Sequence, residues 1–427
     1  MFKFVTLTLV VLLTALNTFA IGGDYKGNPG YVMYCSLKKN KYEMTDLYEI
    51  RAVQGYTLKF ADGLEYSEIL ENMFKRIERL NPTRANLYRS YLKTFSKEAS
   101  MVGNSVLKVL AINEDWGAVE KGCELKQAVV QFKSPNLAGY RYFVDSDIWN
   151  KLSERNKAAL ALHEFIYREG LLPENSFQTS SGVRYLNGVY HSELFETLSL
   201  EKYLDTLNLV GFQMADANGY PILLHTGANN YVPRNLPYEF YDENHLYKAS
   251  MPSQIALPFQ KTITETVNCL LKIGEEENNK ITFYKDGKLK SVEFHCAKPP
   301  QIQLYSNSPG VGGDMPFTWA TYAEDGYIDS AGIEYLNQDI PDAMSYEGPA
   351  FKFVRDISAK TGGVSVAFNA DGEVSMLCMA HDYNNYALSW ITLNGKRVTL
   401  LDLPQRGGTV KFDSNRNPTF SNDVCTE

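Results

Sequence analysis

The residues best suited to chemistry lie in one run, Leu162-His-Glu-Phe-Ile-Tyr-Arg-Glu169. A His-Glu pair on a helix resembles the metal-binding helix of zinc peptidases, where two histidines one turn apart ligate the metal and the glutamate between them activates water. Here Tyr167 stands where the second histidine belongs, and a phenol titrating near pH ~10 is a poor zinc ligand beside an imidazole. His191, with Glu193 or Glu196 near it, can supply the missing ligand. That requires two helices to fold together, so that the imidazoles of His163 and His191 come within about 5 Å of each other beside an open cleft.

Two other roles compete with metal binding. His163 and Glu164 can act as general acid and base without a metal. The structural role, which the pattern favours, pairs Glu164 with Arg168 one turn on, an i,i+4 pair of about a few tenths of a kcal/mol. In that role His163 shares a face with Ala159, Ile166 and Tyr167, its ring hydrogen-bonded in a packed interface. Other catalytic signatures are missing: the sequence has no Gly-x-Ser-x-Gly elbow, no phosphate-cradling glycine loop and no dinucleotide fingerprint. His225, His245, His295 and His381 are scattered, and Gly312-Gly-Asp314 and Glu324–Asp329 lack calcium-loop spacing.

The elements that must position this run are legible on either side of it. Ile69, Leu70, Met73, Phe74 and Ile77 recur at helical spacing up to Asn81-Pro82, and Leu87, Tyr88, Tyr91, Leu92 and Phe95 follow as a second stripe. Strands are expected at Val106–Ile112 and Ala128–Phe132. Ser153 caps a helix over Glu154–Glu169 with Gly170 just past its end, and another helix is predicted from Val183 to Leu207. Residues 208–260 lose periodicity and read as a long connection. Beyond them the pattern alternates with period two around Asp286-Gly287, Asp371-Gly372 and Asn394-Gly395, dipeptides that suit tight hairpin turns. Phe283, Phe368 and Phe412 each precede a turn and a cysteine (Cys296, Cys378, Cys425), which reads either as a weak repeat or as independent hairpins. The expected fold class is α+β: a mixed α+β domain over residues 21–207, the connection, and a mostly antiparallel β domain over 261–427.

The N-terminus is predicted to direct export. Lys3 precedes an apolar run from Val5 to Leu16, and Thr18 and Ala20 are small residues suited to cleavage after Ala20. The run is too short to span a bilayer, which takes about twenty residues. Six cysteines follow, and in an oxidising compartment an even number implies disulfides. Fifteen connectivities exist, and the division of the chain favours Cys35–Cys123, Cys269–Cys296 and Cys378–Cys425. A net charge of −8 without a Lys/Arg cluster makes nucleic acid a poor partner. The 28 Tyr and 22 Phe suit sheets and exposed sugar- or protein-binding surfaces alike.

Several segments together resemble a family of secreted, uncharacterised proteins encoded in many copies by predatory Gram-negative bacteria. They are Ile21-Gly-Gly-Asp24 with Tyr31–Cys35, Asp46–Arg51, Lys121–Gln127, Arg141–Trp149, Leu162–Glu169 and Val183–Asn187. The resemblance spans roughly residues 21–195 and implies a secreted domain with a Cys35–Cys123 disulfide and a distinctive His-Glu helix, but no established activity. The expected function is therefore a periplasmic or extracellular binding protein for a protein or glycan surface, with no cofactor and no membrane segment after processing. The alternative is a degenerate zinc-dependent hydrolase of protein or cell-wall peptide, with His163 and His191 as ligands and Glu164 as base.

Overall fold

The computed structural model describes residues 30–38, 41–103, 119–172, 180–224, 237–252 and 279–294, a few single positions such as Leu107 and Asn175, and strands between Gln254 and Ser421. The chain forms two compact units, Met1–Gly219 and Tyr220–Glu427. The fold is α+β. Residues 1–20, Cys269, Cys296 and Cys425 fall outside the described residues, as do the side chain of Cys378 and the strand expected at Val106–Ile112 apart from Leu107.

Among the described residues, the first unit has five helices of ten residues or more, three one-turn helices and a five-stranded sheet. Its strands are β1 (Gly30–Cys35), β2 (Lys41–Met44), β3 (Ala99–Val102), β4 (Glu124–Gln131) and β5 (Tyr142–Asp145), in the order β2-β1-β4-β5-β3. All neighbours are antiparallel except β3 and β5. Helices α1 (Tyr66–Glu78) and α2 (Pro82–Glu98) are the two predicted stripes. Asn81 caps α2 by accepting from the Arg84 N–H at 2.8 Å, with Pro82 in its first turn where a missing N–H costs nothing.

Helix α3 (Glu154–Gly170) carries the His-Glu run and begins at the expected Ser153 cap. Twelve of its 17 residues are buried, so it is covered on nearly every side, as an interior helix must be. Phe165 sits at its centre, with ring contacts to Phe74, Tyr91 and Phe95. The single helix expected over Val183–Leu207 is instead α4 (Ser181–Tyr190), a short turn Leu194–Thr197, and α5 (Leu200–Leu209). Leu198 is extended, and the Ser199 hydroxyl caps α5 through the Lys202 N–H. A hydroxyl in that position competes with continued helix.

The second unit holds a ten-stranded antiparallel sheet made of five successive hairpins, 238–250, 280–293, 319–333, 364–379 and 408–421. Between them the chain makes excursions that form further antiparallel pairs, including 254–268 and 301–316. The segment 208–260 is therefore not a connection, because it contains the first sheet hairpin and the first excursion strand. Its turn residues and prolines hid the alternation. The five hairpins share one feature: in each, an aromatic residue pairs across the ladder with the residue six positions on. The pairs are Phe240 with Leu246, Phe283 with Leu289, Tyr322 with Ile328, Phe368 with Val374, and Phe412 with Pro418. In the first four the register shifts at the aromatic, which is a bulge leading into the turn. The interval at which Phe283, Phe368 and Phe412 pair therefore recurs in all five sheet hairpins.

Candidate functional site

The His-Glu run meets its partners where α3, α4 and the short helical turn Thr45–Tyr48 pack together. His163 Nδ1 lies 2.8 Å from Asp46 Oδ2, and the same oxygen accepts from Asn187 Nδ2 at 2.7 Å. Asn187 also donates to the Ala159 carbonyl at 2.9 Å, tying α4 to α3. Two glycines allow the close approach. A Cβ on Gly188 would meet Ile50 Cβ at 2.7 Å, and one on Gly30 would meet Glu164 Oε1 at 2.6 Å and Leu160 Cδ1 at 2.7 Å. Gln131, its amide nitrogen turned toward Glu164, donates to Oε2 at 2.8 Å and to the Glu164 carbonyl at 2.9 Å.

Every member of this cluster is sealed. His163 is 1 % exposed, and Asp46, Glu164, Asn187 and His191 are at 0 %. His191, at the end of α4, packs its ring against Phe60 with centroids 5.5 Å apart. The open position of a zinc catalyst is not provided beside either ring. Glu193 and Glu196 are both exposed, and Glu196 pairs with Lys59 and Arg76. Among the described residues, the group of three potential ligands that converges is Cys35, Glu120 and Cys123, their donor atoms all within 4.8 Å of one another.

The expected Glu164–Arg168 pair does not form. Glu164 turns inward to Gln131 and Gly30, whereas Arg168 turns toward α2, donating to Glu98 Oε2 at 3.1 Å and lying 4.0 Å over the Tyr91 ring. Helical spacing makes such a pair possible only on a solvated face, and α3 has almost none. The hydrogen-bonded, packed histidine expected in the structural role is what is found.

Burial sets the protonation of the cluster. Glu164 is pushed up to about 7, first by desolvation and then by nearby Asp46, against the His163 charge and the Gly30 N–H. Burial would lower His163, but the charge and hydrogen bond of Asp46 outweigh it and its pKa is raised. His191 is pushed down to about 3 by burial and by Arg76, against the pull of Asp46. Among the described residues, several atoms here have no hydrogen-bond partner: Asp46 Oδ1, His163 Nε2, Glu164 Oε1, Asn187 Oδ1 and both nitrogens of His191.

The signs lead to a measurable result. Native Glu164 keeps a proton that the unfolded chain releases above 4.5, so its contribution is complete below that pH and is lost as pH rises to about 7. His191 behaves oppositely: native and neutral, it contributes fully above 6.5, and that contribution is lost as pH falls toward 3. Between 4.5 and 6.5 the two slopes cancel. Glu164→Gln removes one of them, so the variant should gain on the wild type by about 3 kcal/mol as pH is raised from 4.5 to 7.5. Urea unfolding of both proteins at the two pH values checks this; a constant difference would show that Glu164 does not titrate as its burial demands.

A second buried cluster escaped the sequence reading. Arg84, in the first turn of α2, donates to both oxygens of Glu169 on α3 at 2.8–3.0 Å and to the Tyr203 hydroxyl on α5 at 2.7 Å. Tyr88 donates to Glu169 Oε2 at 2.6 Å. The disulfide Cys35–Cys123 joins the end of β1 to the start of β4, as expected. Among the described residues no helix is long and apolar enough to cross a membrane. No protein-family model matches the chain, and no curated protein matches it.

Proposed function

We propose that the chain is a secreted binding protein, cleaved after Ala20, that acts in the periplasm or outside the cell on a protein or glycan surface. The observation that carries this reading is the sealing of His163, Glu164 and His191, which leaves the residues with catalytic chemistry as interior structure. The Cys35–Cys123 disulfide fits an oxidising compartment. In the second unit, hairpin 280–293 has one buried and one solvated face: Ile281, Phe283, Leu289 and Val292 are buried while Lys290 and Glu293 are exposed. A sheet of this kind offers a broad polar surface to a partner.

The test uses the oxidised mature chain beginning at Ile21, as wild type and His163→Ala. Metal content and peptide hydrolysis are measured alongside co-sedimentation with isolated cell envelopes, either intact or stripped of protein or of glycan. The expected result is co-sedimentation by both proteins, lost with one of the stripping treatments, and neither metal nor hydrolysis that depends on His163. Stoichiometric metal and hydrolysis that both vanish in His163→Ala would overturn the binding reading in favour of the zinc hydrolase.

A further inference from the structure

Cys35 ends β1 and Cys123 immediately precedes β4, and the ladder pairs Tyr34 with Glu124, Met33 with Leu125 and Val32 with Lys126. This register sets the two cysteine Cα atoms 4.3 Å apart. The chain enters β4 through a turn closed by the Cys123 N–H donating to the Glu120 carbonyl at 3.0 Å, with Gly122 at φ +83°. A positive φ is easily adopted by glycine, and the turn folds Glu120 back over the sulfurs, within 4.8 Å of both. The Glu120 N–H also donates to Met33 Sδ at 3.2 Å, which places a thioether against the same turn. Cys35 is 3 % exposed, whereas Cys123 and Glu120 are half-buried, so the group is approached from their side.

We propose that Cys35, Cys123 and Glu120 are a redox-gated zinc site, closed while the disulfide is intact and formed when it is reduced. The reductant is a dithiol. Its thiolate attacks one sulfur of the disulfide, its second thiol resolves the mixed disulfide, and two electrons and two protons end on Cys35 and Cys123 while the dithiol becomes a disulfide. Zinc then displaces the two thiol protons and binds two thiolates and the Glu120 carboxylate. Three protein ligands with a fourth position for water match an open zinc site, and thiolates select zinc over harder cations. The Glu120 turn and the β1–β4 ladder supply the preorganisation. The inference stands apart from the binding reading and from His163.

The experiment uses the full mature chain, reduced with a dithiol, desalted without oxygen and titrated with Co²⁺ as a spectroscopic probe and then with Zn²⁺. The expected result is a sulfur-to-cobalt charge-transfer band with tetrahedral d–d bands, bleached by zinc, in reduced but not oxidised protein. Four other cysteines are also reduced, so Cys35→Ser/Cys123→Ser is the control that must abolish the band. Glu120→Gln leaves both cysteines in place and should weaken cobalt binding by about tenfold or more, the low end of what even outer-shell partners of a metal contribute. His163→Ala should leave the band unchanged. A reduced, folded wild type without the band, or a band that survives the double serine variant, overturns the proposal.

Discussion

Arg84→Ala should destabilise the first unit by about 3–5 kcal/mol, because it leaves the Glu169 carboxylate buried without its counter-charge. The guanidinium gives Glu169 three contacts of 2.8–3.0 Å, reaches Tyr203 and lies 4.5 Å over the Phe212 ring. Burial alone would lower its pKa, yet Glu169 and the surrounding phenols hold it well above the ordinary arginine range. Three helices meet at this side chain, so it is a junction as well as an ion pair. Replacing both members, Arg84→Met with Glu169→Leu, removes the stranded charge and should recover most of the loss, since apolar pairs of similar volume often substitute well. Urea midpoints at constant m-value make the comparison. A single variant that loses less than about 1 kcal/mol, the range of an exposed pair, would contradict the assigned role.

Asp46→Ala is expected to cost a similar amount, about 3–5 kcal/mol below neutral pH, where His163 is charged. Asp46 Oδ2 is the shared acceptor for His163 and Asn187, and its removal takes from His163 its buried partner and leaves Asn187 Nδ2 with the Ala159 carbonyl. The variant carries a second signature that simple cavity formation lacks. With the Asp46 charge and hydrogen bond gone, desolvation and the Arg184 charge are opposed at His163 by Glu164 alone, and its pKa should fall from its raised value. An NMR titration of the histidine ring protons reads this directly. Asp46→Asn, which keeps the shape and one acceptor oxygen, should show the same fall in pKa with a smaller loss of stability. A His163 titration identical in wild type and Asp46→Asn would mean that Asp46 does not set its charge.

How far the sequence reveals this molecule depends on the distance over which each interaction is made. Helix α3 was visible because its cap, its apolar run and its terminal glycine are local signals, and α1 and α2 were visible for the same reason. Asp46 was invisible as a partner, lying 117 positions from His163 and 141 from Asn187, with no motif that aims a lone aspartate at a distant ring. Arg84 and Glu169 are separated by 85 positions, and each looks like an ordinary surface charge on its helix. Spacing also misled: Glu164 and Arg168 have the right interval for a pair, but that interval says nothing about which face is solvated. In the second unit, Asp286-Gly287 and Asp371-Gly372 exposed two sheet hairpins through their turn chemistry. Phe240–Leu246 stayed hidden because its turn has no such dipeptide, and the bulge at Phe240 interrupts the alternation a strand is recognised by.

The hairpin sheet of the second unit has an implication for its history and its reach. Each sheet hairpin pairs only with the one before and the one after it, so its register is set locally and is not dictated by the ends of the chain. Such an assembly can grow or shrink by a hairpin with its excursion, and the remaining strands keep their partners, as in arrays governed by nearest-neighbour contacts. Duplication of that segment would widen the sheet in fixed increments. The breadth of the sheet becomes a trait that changes stepwise, by whole hairpins.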